Sequence, residues 1–443
     1  MSKLFEDRFR YPADYEKRSA EMLDFALDHV PYYREHWAKY DVGRDKPVQE
    51  RYAAMPILTK AAMRRYFPES AVPDGMDVEA GLDSGEIEYT FTSGTTGDRV
   101  VNLWHQPWWH AAEMASWTLN PHLKKLVYPP RQATLASALN VGISCEEDLP
   151  MDHRIMGNLL YLNEKQNIMC WRTGHLVRMA DELDAYRPTV LEGNPSLLAK
   201  LAFWALDNGR KLYRPDVITF TYELPSRIHT AVIGEAFGAP TVSSYGTTET
   251  GFVMDSCELG HYHQNTPWCR IEFLPLKKEY GGPDLGRLVV TTFGNPWACM
   301  LRFDVGDLVR IHSTDRCECG IGSGFICDTI EGRVSNSTFT VDGGLVTTAM
   351  TDRAVACVPD VREYDLSQTD RQHYILTLEI KGSEAAAEKA AREAMKELYG
   401  RDADVEIRFS PRLLPGPAGK YRRTHTEFPF DEWSLTEGAF ILA

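Results

Sequence analysis

Thr92-Ser93-Gly94-Thr95-Thr96-Gly97 is the stretch that decides the fold of this 443-residue chain. It stands between two short extended segments, residues 88–91 and 100–103, so we predict a loop that joins two strands. The two glycines allow a tight turn and a close approach of backbone to a ligand. The hydroxyls and successive backbone N–H groups can donate to anionic oxygens. The pattern predicts a polyphosphate site, and an ordinary surface turn is the alternative.

This loop differs from the known nucleotide-binding loops that carry their own cation. A Walker loop needs a lysine after its second glycine, whereas Asp98 and Arg99 follow Gly97 here. The G-x-G-x-x-G pattern is also missing. We therefore expect the cation that binds the phosphate to come from a distant segment, and Arg99 is the alternative.

Composition and charge exclude several classes of protein. The formal charge of -15 argues against nucleic acid or an anionic membrane surface as the main partner. No apolar stretch is long enough to span a bilayer, and the first residues lack the apolar segment of a secretory signal. The nine cysteines, an odd number spread over a long chain, do not suggest a disulfide framework. We expect a cytoplasmic protein.

Apolar periodicity after residue 60 predicts an α/β fold. Asn194 and Pro195 open a helix whose apolar face is Leu198, Leu201, Ala202 and Ala205. A β-branched run at 217–221, a helix at 226–237 and a strand at 240–244 follow, and this alternation implies parallel pairing. A helix at 384–398, with a buried stripe of Ala387, Ala391, Ala394 and Leu398, and strands at 373–380 and 404–409 predict a small separate α+β unit.

Four further segments fit a phosphate site. The first, Tyr245-Gly246-Thr247-Thr248-Glu249, follows a parallel strand, where such sheets bind ligands, and its carboxylate suits Mg²⁺. The second, residues 302–308, contains Asp307 after a glycine turn, which suits two ribose hydroxyls. The others are Glu331-Gly332-Arg333 and a Gly/Pro-rich loop with Lys420. A surface acid, a turn aspartate and a solvated lysine are the respective alternatives.

Taken together, these segments resemble the adenylate-forming (ANL) superfamily, specifically its phenylacetate–coenzyme A ligase and coenzyme F390 synthetase branch. The resemblance covers nearly the whole chain, in order and spacing. It includes residues 29–34, 56–60, 92–97, 193–196, 223–225, 245–249, 302–308, 332–333 and 419–420.

The resemblance implies a role for each matching residue. The β- and γ-phosphates of ATP would lie against the loop of Thr92, Ser93, Gly94, Thr95, Thr96 and Gly97. Tyr245 would stack near the adenine, beside Glu223. Gly246, Thr247 and Thr248, which follow Tyr245, would also belong to the nucleotide site. Glu249 would bind Mg²⁺, and Asp307 would hold the ribose with Arg333 nearby. Lys420 would bridge the substrate carboxylate and the α-phosphate.

Cysteines and histidines supply a second candidate site. Cys257, His263, Cys317 and Cys319 provide four ligands suited to tetrahedral Zn²⁺. The spacing is not a standard zinc motif, so unrelated buried thiols are the alternative. His261 competes for the histidine position, and we choose His263 because the residues after it keep the register of the family. We expect this zinc to be structural. The other cysteines we interpret as core or incidental thiols.

The chain also departs from the family. After Arg333, where a pair of acidic hinge residues is usual, it has Val334-Ser335-Asn336. The region that shapes the acid pocket in phenylacetate ligases reads Ala-Ser-Ala-Leu-Asn-Val-Gly over 136–142. Trp104, Trp108 and Trp109 could supply aromatic walls, although aromatics at this spacing are more often core.

The sequence therefore predicts an α/β enzyme of two domains. Residues 1–333 form a large multi-sheet α/β core with the ATP, acid and zinc sites, and 334–443 form a small, mobile α+β lid that carries Lys420. We expect Mg-ATP activation of a carboxylic acid, with an aromatic acid favoured, and then transfer to coenzyme A. An amide or ester ligase with a small amine or alcohol acceptor is the first alternative. A non-catalytic, zinc-containing nucleotide-binding regulatory protein is the second, and a homodimer stays open.

Overall fold

The computed structural model describes residues 8–91, 100–137, 145–416, 419–439 and 441. Its α-helices are α1 (Tyr15–His29), α2 (Pro31–His36), α3 (Val48–Ala54), α4 (Lys60–Tyr66), α5 (Val78–Ser84), α6 (Gln106–Ser116), α7 (Pro121–Lys124), α8 (Thr173–Tyr186), α9 (Pro195–Asp207), α10 (Arg227–Phe237), α11 (Thr348–Val355) and α12 (Glu384–Tyr399).

The strands alternate with these helices along much of the chain. They are β1 (Glu88–Phe91), β2 (Val101–Trp104), β3 (Gln132–Leu135), β4 (Ile155–Met156), β5 (Leu159–Tyr161), β6 (Val190–Gly193), β7 (Val217–Phe220), β8 (Thr241–Thr247), β9 (Gly251–Ser256), β10 (Tyr262–Gln264), β11 (Cys269–Pro275), β12 (Leu285–Thr292), β13 (Phe303–Ile311), β14 (Ile326–Arg333), β15 (Thr338–Phe339), β16 (Leu345–Val346), β17 (Val361–Gln368), β18 (His373–Ile380), β19 (Asp404–Phe409) and β20 (Thr424–Thr426).

Backbone contacts divide the chain into two compact units. The first unit comprises Met1–Pro121, Tyr245–Ile330 and Asp431–Ala443. The second comprises His122–Ser244 and Glu331–Phe430. The sequence predicts a different division, into a core over 1–333 and a mobile lid over 334–443. That division stays a prediction.

The first unit is built on antiparallel strands. Strands β11, β12 and β13 pair in that order, and β10 lies between β14 and β9. Separately, β1 and β2 form an antiparallel pair in which Phe91 lies opposite Val101. The strands predicted on either side of the hydroxyl-rich loop are therefore present and paired.

The second unit contains the predicted parallel sheet. Its strands lie in the order β8, β7, β6, β3 and β5, all parallel, with β4 antiparallel at the edge. Helices α8, α9 and α10 pack on one face through a continuous apolar core that includes Met179, Leu183, Leu191, Leu198, Leu201, Ile218, Phe220, Ile233 and Phe237. This alternation of strand and helix is the one that the sequence predicts.

Helix α9 shows how locally the sequence determines this unit. The Asn194 side chain accepts hydrogen bonds from the backbone N–H groups of Ser196 and Leu197, and Pro195 occupies the first turn. The predicted apolar face, Leu198, Leu201, Ala202 and Ala205, is buried. Both the start and the orientation of the helix are confirmed.

Residues 331–430 contribute a second, four-stranded sheet to the same unit. Its order is β19, β18, β17 and β20, and α12 packs on it. The predicted strands and helix lie within one residue of their expected bounds. Tyr399 and Met395 are fully buried on α12 together with Ala387 and Ala391, whereas Ala394 and Leu398 are only partly buried. The larger side chains at the four-residue spacing fill the core.

Helix α1 buries one face. Its buried residues are Tyr15, Ser19, Leu23, Ala26 and Leu27, and Met22 is half-buried.

Among the described helices, none is long and apolar enough to cross a membrane.

Candidate functional site

The predicted site residues fall into three groups. The loop Thr92 to Gly97 lies outside the described residues. Tyr245, Gly246, Thr247, Thr248, Glu249 and Asp307 belong to the first compact unit. Glu223, Arg333 and Lys420 belong to the second.

Two predicted nucleotide residues meet in the first unit. The Tyr245 hydroxyl donates to Oδ2 of Asp307 at 2.8 Å, although the two are 62 positions apart. Tyr245 lies on β8 and Asp307 on β13. The side chain of Asp307 is nearly buried, whereas Tyr245 is half-buried. A ring and a carboxylate are thereby fixed side by side.

The segment between β8 and β9 is a tight turn. Thr250 donates its backbone N–H to the Thr247 carbonyl at 3.1 Å, and the two hydroxyls lie 2.9 Å apart. At Gly246 a Cβ atom would collide with the backbone of Gly251, so only glycine fits there. These contacts fix the backbone on both sides of Glu249.

Glu249 is a buried carboxylate with a lysine beside it. Its side chain is 2% exposed, and the Lys60 ammonium lies 3.8 Å from its Oε1 atom. Within the described part of the chain, that oxygen has no hydrogen-bond partner. A buried oxygen without a donor is costly and suits a hard cation. Glu249 therefore fits a magnesium ligand. Sequence reasoning missed Lys60, although its segment, 56–60, is part of the resemblance.

Glu223 anchors a buried charged network in the second unit. Its side chain is 6% exposed and accepts from the backbone N–H and hydroxyl of Ser196. The Arg423 guanidinium lies 3.7 Å from Glu223 and 3.0 Å from Glu363. His229 completes the network, 3.2 Å from Glu363. These contacts join the C-terminal segment to the starts of α9 and α10.

The charges in this network stabilise one another. Burial alone would raise the pKa of Glu363, but Arg423 and His229 outweigh it and lower the pKa to about 2. Arg423 and Glu363 were not predicted as site residues. The available signal was that Arg423 lies three positions after Lys420.

Lys420 and Arg333 are the other predicted residues of the second unit. Lys420 is half-buried, and its carbonyl accepts from the Gly416 N–H at 2.9 Å. Gly419, with φ of 73°, allows the turn that precedes it. Arg333 is the last residue of β14.

The predicted zinc ligands converge in the first unit. One potential ligand atom each from Cys257, His263, Cys317 and Cys319 lies within 4.8 Å of all the others. Cys257 follows β9 and His263 lies on β10, while the other two come from the loop between β13 and β14. The Sγ atoms of Cys257 and Cys317 are 3.9 Å apart, and Sγ of Cys319 is 3.3 Å from Nε2 of His263.

These distances fit a tetrahedral ion. Zinc–sulfur bonds of about 2.3 Å in a tetrahedron place two sulfurs roughly 3.8 Å apart. Burial lowers the pKa of His263 to about 4, so its imidazole is neutral at neutral pH. Burial raises the pKa of Cys319 to about 12, so a thiolate there needs a nearby cation.

His261, the rival for the histidine position, lies beside the cluster. Its Nδ1 atom is 3.2 Å from Sγ of Cys317, but its ring groups with His312 and Asp328. Of the other cysteines, Cys269, Cys299 and Cys327 are buried, Cys170 is half-buried, and Cys145 and Cys357 are exposed.

The tryptophans before and within α6 form an aromatic group. Trp104 and Trp109 stack at 3.9 Å, and both are half-buried. Trp108 is buried and donates to the Phe293 carbonyl at 2.9 Å, as a core residue does. Only the stacked pair keeps exposed aromatic surface.

Comparison with known proteins defines the class of fold. No protein-family model matches the sequence, and no curated protein matches it significantly in sequence. The structure is similar to 2-hydroxyisobutyryl-CoA ligase in the postadenylation state with 2-HIB-AMP. The TM-score is 0.70 and the identity 18%, over 95% of this chain and 91% of that chain.

Two other solved structures extend this likeness. The same ligase with 2-HIB-AMP and CoA in the thioesterification state has a TM-score of 0.56 at 19% identity, over 95% of this chain and 92% of that one. The amide bond synthetase McbA from Marinactinospora thermotolerans has a TM-score of 0.50 at 14% identity, over 76% and 68%. The chain therefore has the fold of the adenylate-forming acyl-CoA ligases, and the predicted fold class is confirmed.

Proposed function

We propose that this protein uses Mg-ATP to activate a carboxylic acid as an acyl-adenylate and then transfers the acyl group to coenzyme A. An aromatic acid is the favoured substrate, in keeping with the resemblance to the phenylacetate–coenzyme A ligase branch. The observation that carries the proposal is the hydrogen bond between Tyr245 and Asp307. Two residues that sequence reasoning assigns to one nucleoside meet at that bond.

The buried acids support the same assignment. In the first unit, Glu249 offers a desolvated oxygen to a magnesium ion. In the second unit, Oε2 of Glu223 is buried and, within the described part of the chain, has no donor. It can accept a hydrogen bond from the amino group of adenine. Magnesium, when bound, neutralises the charge of the phosphates.

The chemistry explains why cationic side chains are needed. A carboxylate oxygen must attack an α-phosphorus that is itself surrounded by negative oxygens, and pyrophosphate must leave. Lys420 would hold the acid and the α-phosphate together and stabilise the charge that develops between them. A thiol would then attack the acyl carbon, forming a thioester and releasing AMP.

Two related chemistries share the fold and differ in the acceptor of the acyl group. One similar structure holds acyl-AMP together with CoA, and another is an amide bond synthetase. An amine or alcohol acceptor is therefore the second candidate. Consumption of the adenylate by coenzyme A, compared with a set of small amines, separates the two.

ATP–pyrophosphate exchange with a panel of carboxylic acids tests the first half-reaction. We expect exchange with at least one acid, because reversible adenylation returns labelled pyrophosphate to ATP. ATP binding without exchange in any acid would favour the non-catalytic regulatory alternative instead.

We also propose a structural Zn²⁺ held by Cys257, His263, Cys317 and Cys319. The convergence of their side chains supports it, as does the N–H of Ile321, which points to Sγ of Cys319 at 3.5 Å. Such a donor stabilises a metal-bound thiolate. Four protein ligands leave no open position, so this ion would have no catalytic role.

Metal analysis of the purified protein tests the zinc proposal. We expect about one zinc per chain, and Cys319→Ser should lose it and melt several degrees lower, since a closed zinc site contributes folding free energy. Cys357→Ser is the matched control, because Cys357 is exposed and distant in sequence from the cluster. Full stability and no zinc in the unmodified protein would contradict the proposal.

A further inference from the structure

A row of polar residues crosses the parallel sheet of the second unit near its carboxyl edge. In register, Thr134 of β3 lies beside Tyr161 of β5 on one side and Glu192 of β6 on the other. Glu192 in turn lies beside Thr219 of β7. Residues paired in this way in a parallel sheet share a face.

That face is opposite the helices. The neighbours of the row along the strands, among them Leu135, Leu191 and Ile218, pack into the core under α8, α9 and α10. Side chains alternate along a strand, so the polar row points away from this core. Central strands of parallel sheets are normally apolar on both faces. A carboxylate on such a strand therefore indicates a binding role.

Glu192 is the only acid of this row, and the residues that the structure describes give it two hydrogen bonds. Its Oε2 atom accepts from Nε2 of Gln132 at 2.6 Å, and its Oε1 atom accepts from the Thr221 hydroxyl at 3.0 Å. A carboxylate has about four acceptor positions, so roughly two are left unfilled by the part of the chain that the structure describes. Burial raises the pKa of Glu192 despite these two bonds.

Thr134 gives an independent sign of a missing partner. It is 4% exposed, and its hydroxyl has no hydrogen-bond partner among the residues that the structure describes. Thr134 and Glu192 are each the next-to-last residue of their strands. Ligands of parallel α/β sheets bind beyond these strand ends.

The row also lies next to the predicted nucleotide residues of this unit. Thr221, which donates to Glu192, is two positions before Glu223, and the Glu223 N–H donates to the Thr221 carbonyl at 2.9 Å. A ligand against Glu192 would therefore be held close to the segment that Glu223 begins.

We propose that Glu192 is a specificity-determining residue, which accepts a hydrogen bond from a hydroxyl or amino substituent on the acid that the protein activates. The inference rests on the proposed function and adds the class of substrate to it. Thr134 offers a second polar contact to the same substituent. An unsubstituted hydrocarbon acid would leave both groups buried against apolar surface, which is unfavourable.

Pyrophosphate exchange with matched acids tests this inference. The probes are benzoate and phenylacetate, each compared with its hydroxy and amino derivatives. We expect a substituted acid to be preferred, with kcat/KM about 100-fold above its parent, because a site that bonds a substituent discriminates strongly against its absence. Glu192→Leu should abolish that preference, measured as the ratio of kcat/KM for a substituted acid to kcat/KM for its parent.

Glu192→Gln keeps the size of the side chain and removes its charge. A glutamine oxygen still accepts a hydrogen bond from a hydroxyl or a neutral aromatic amine, so the preference for a substituted acid should persist but weaken, since a hydrogen bond to an ionised acceptor is stronger. If the leucine variant does not fold, as judged by its melting, the glutamine variant carries the test together with Thr134→Val. Glu235→Leu is the control, since Glu235 is an exposed residue of α10.

The outcomes distinguish this inference from the proposed function. Exchange that is equal for parent and substituted acids, or a preference that survives in Glu192→Leu, would overturn the role of Glu192 alone. Absence of exchange with every acid would overturn the proposed function and this inference with it.

Discussion

Replacing Lys420 with alanine is expected to lower ATP–pyrophosphate exchange by about 100- to 1,000-fold, the usual loss when one group that stabilises a developing charge is removed. ATP binding should stay near normal, because the phosphates and nucleoside have other partners. Exchange measured at saturating acid, with ATP affinity from equilibrium binding, separates these two effects.

Lys389→Ala is the matched control for this variant. Lys389 is an exposed residue of α12, also within residues 331–430, and its loss changes the net charge equally. We expect its exchange rate to equal that of the unmodified protein. An unchanged rate in Lys420→Ala would refute the role that we assign to the lysine.

Glu249→Gln is expected to lower kcat/KM for ATP by about 100-fold and to raise the magnesium concentration needed for half-maximal exchange, because Mg²⁺ prefers carboxylate oxygen. Glutamine preserves the shape of the side chain, so the turn between Thr247 and Thr250 should remain. A magnesium titration of both proteins measures the effect.

Lys60 and an exposed glutamate refine this experiment. Lys60→Met should raise the magnesium concentration needed for half-maximal exchange by less than Glu249→Gln does. Lys60 lies 3.8 Å from the carboxylate and would act only through it. Glu235→Gln removes an exposed charge and should change nothing. A normal magnesium requirement in Glu249→Gln would show that the ion binds elsewhere.

Local sequence signals predicted the elements of the fold well. Asn194 and Pro195 identify the start of α9, because the side-chain cap and the fixed backbone angle act within a few residues. The same holds for α12, which follows Ser383 and ends before Gly400. In each case the signal and the structure that it determines are adjacent in the chain.

Contacts between distant residues required more than local signals. The pairing of Lys60 with Glu249, and of Arg423 with Glu363, depends on how whole strands and helices pack, and no periodicity reports it. Resemblance to a family brought Tyr245 and Asp307 into one hypothesis, but their hydrogen bond is visible only in the structure. Glu192 was overlooked because it lies in a strand that otherwise reads as apolar.

The buried cluster around Arg423 has a consequence for turnover. If residues 334–443 act as a lid, the guanidinium must leave Glu223 and Ser196 each time the lid turns, and it would carry Glu363 with it. Charges separated inside a protein are poorly screened by dissolved ions. The step that separates these charges would then depend only weakly on ionic strength.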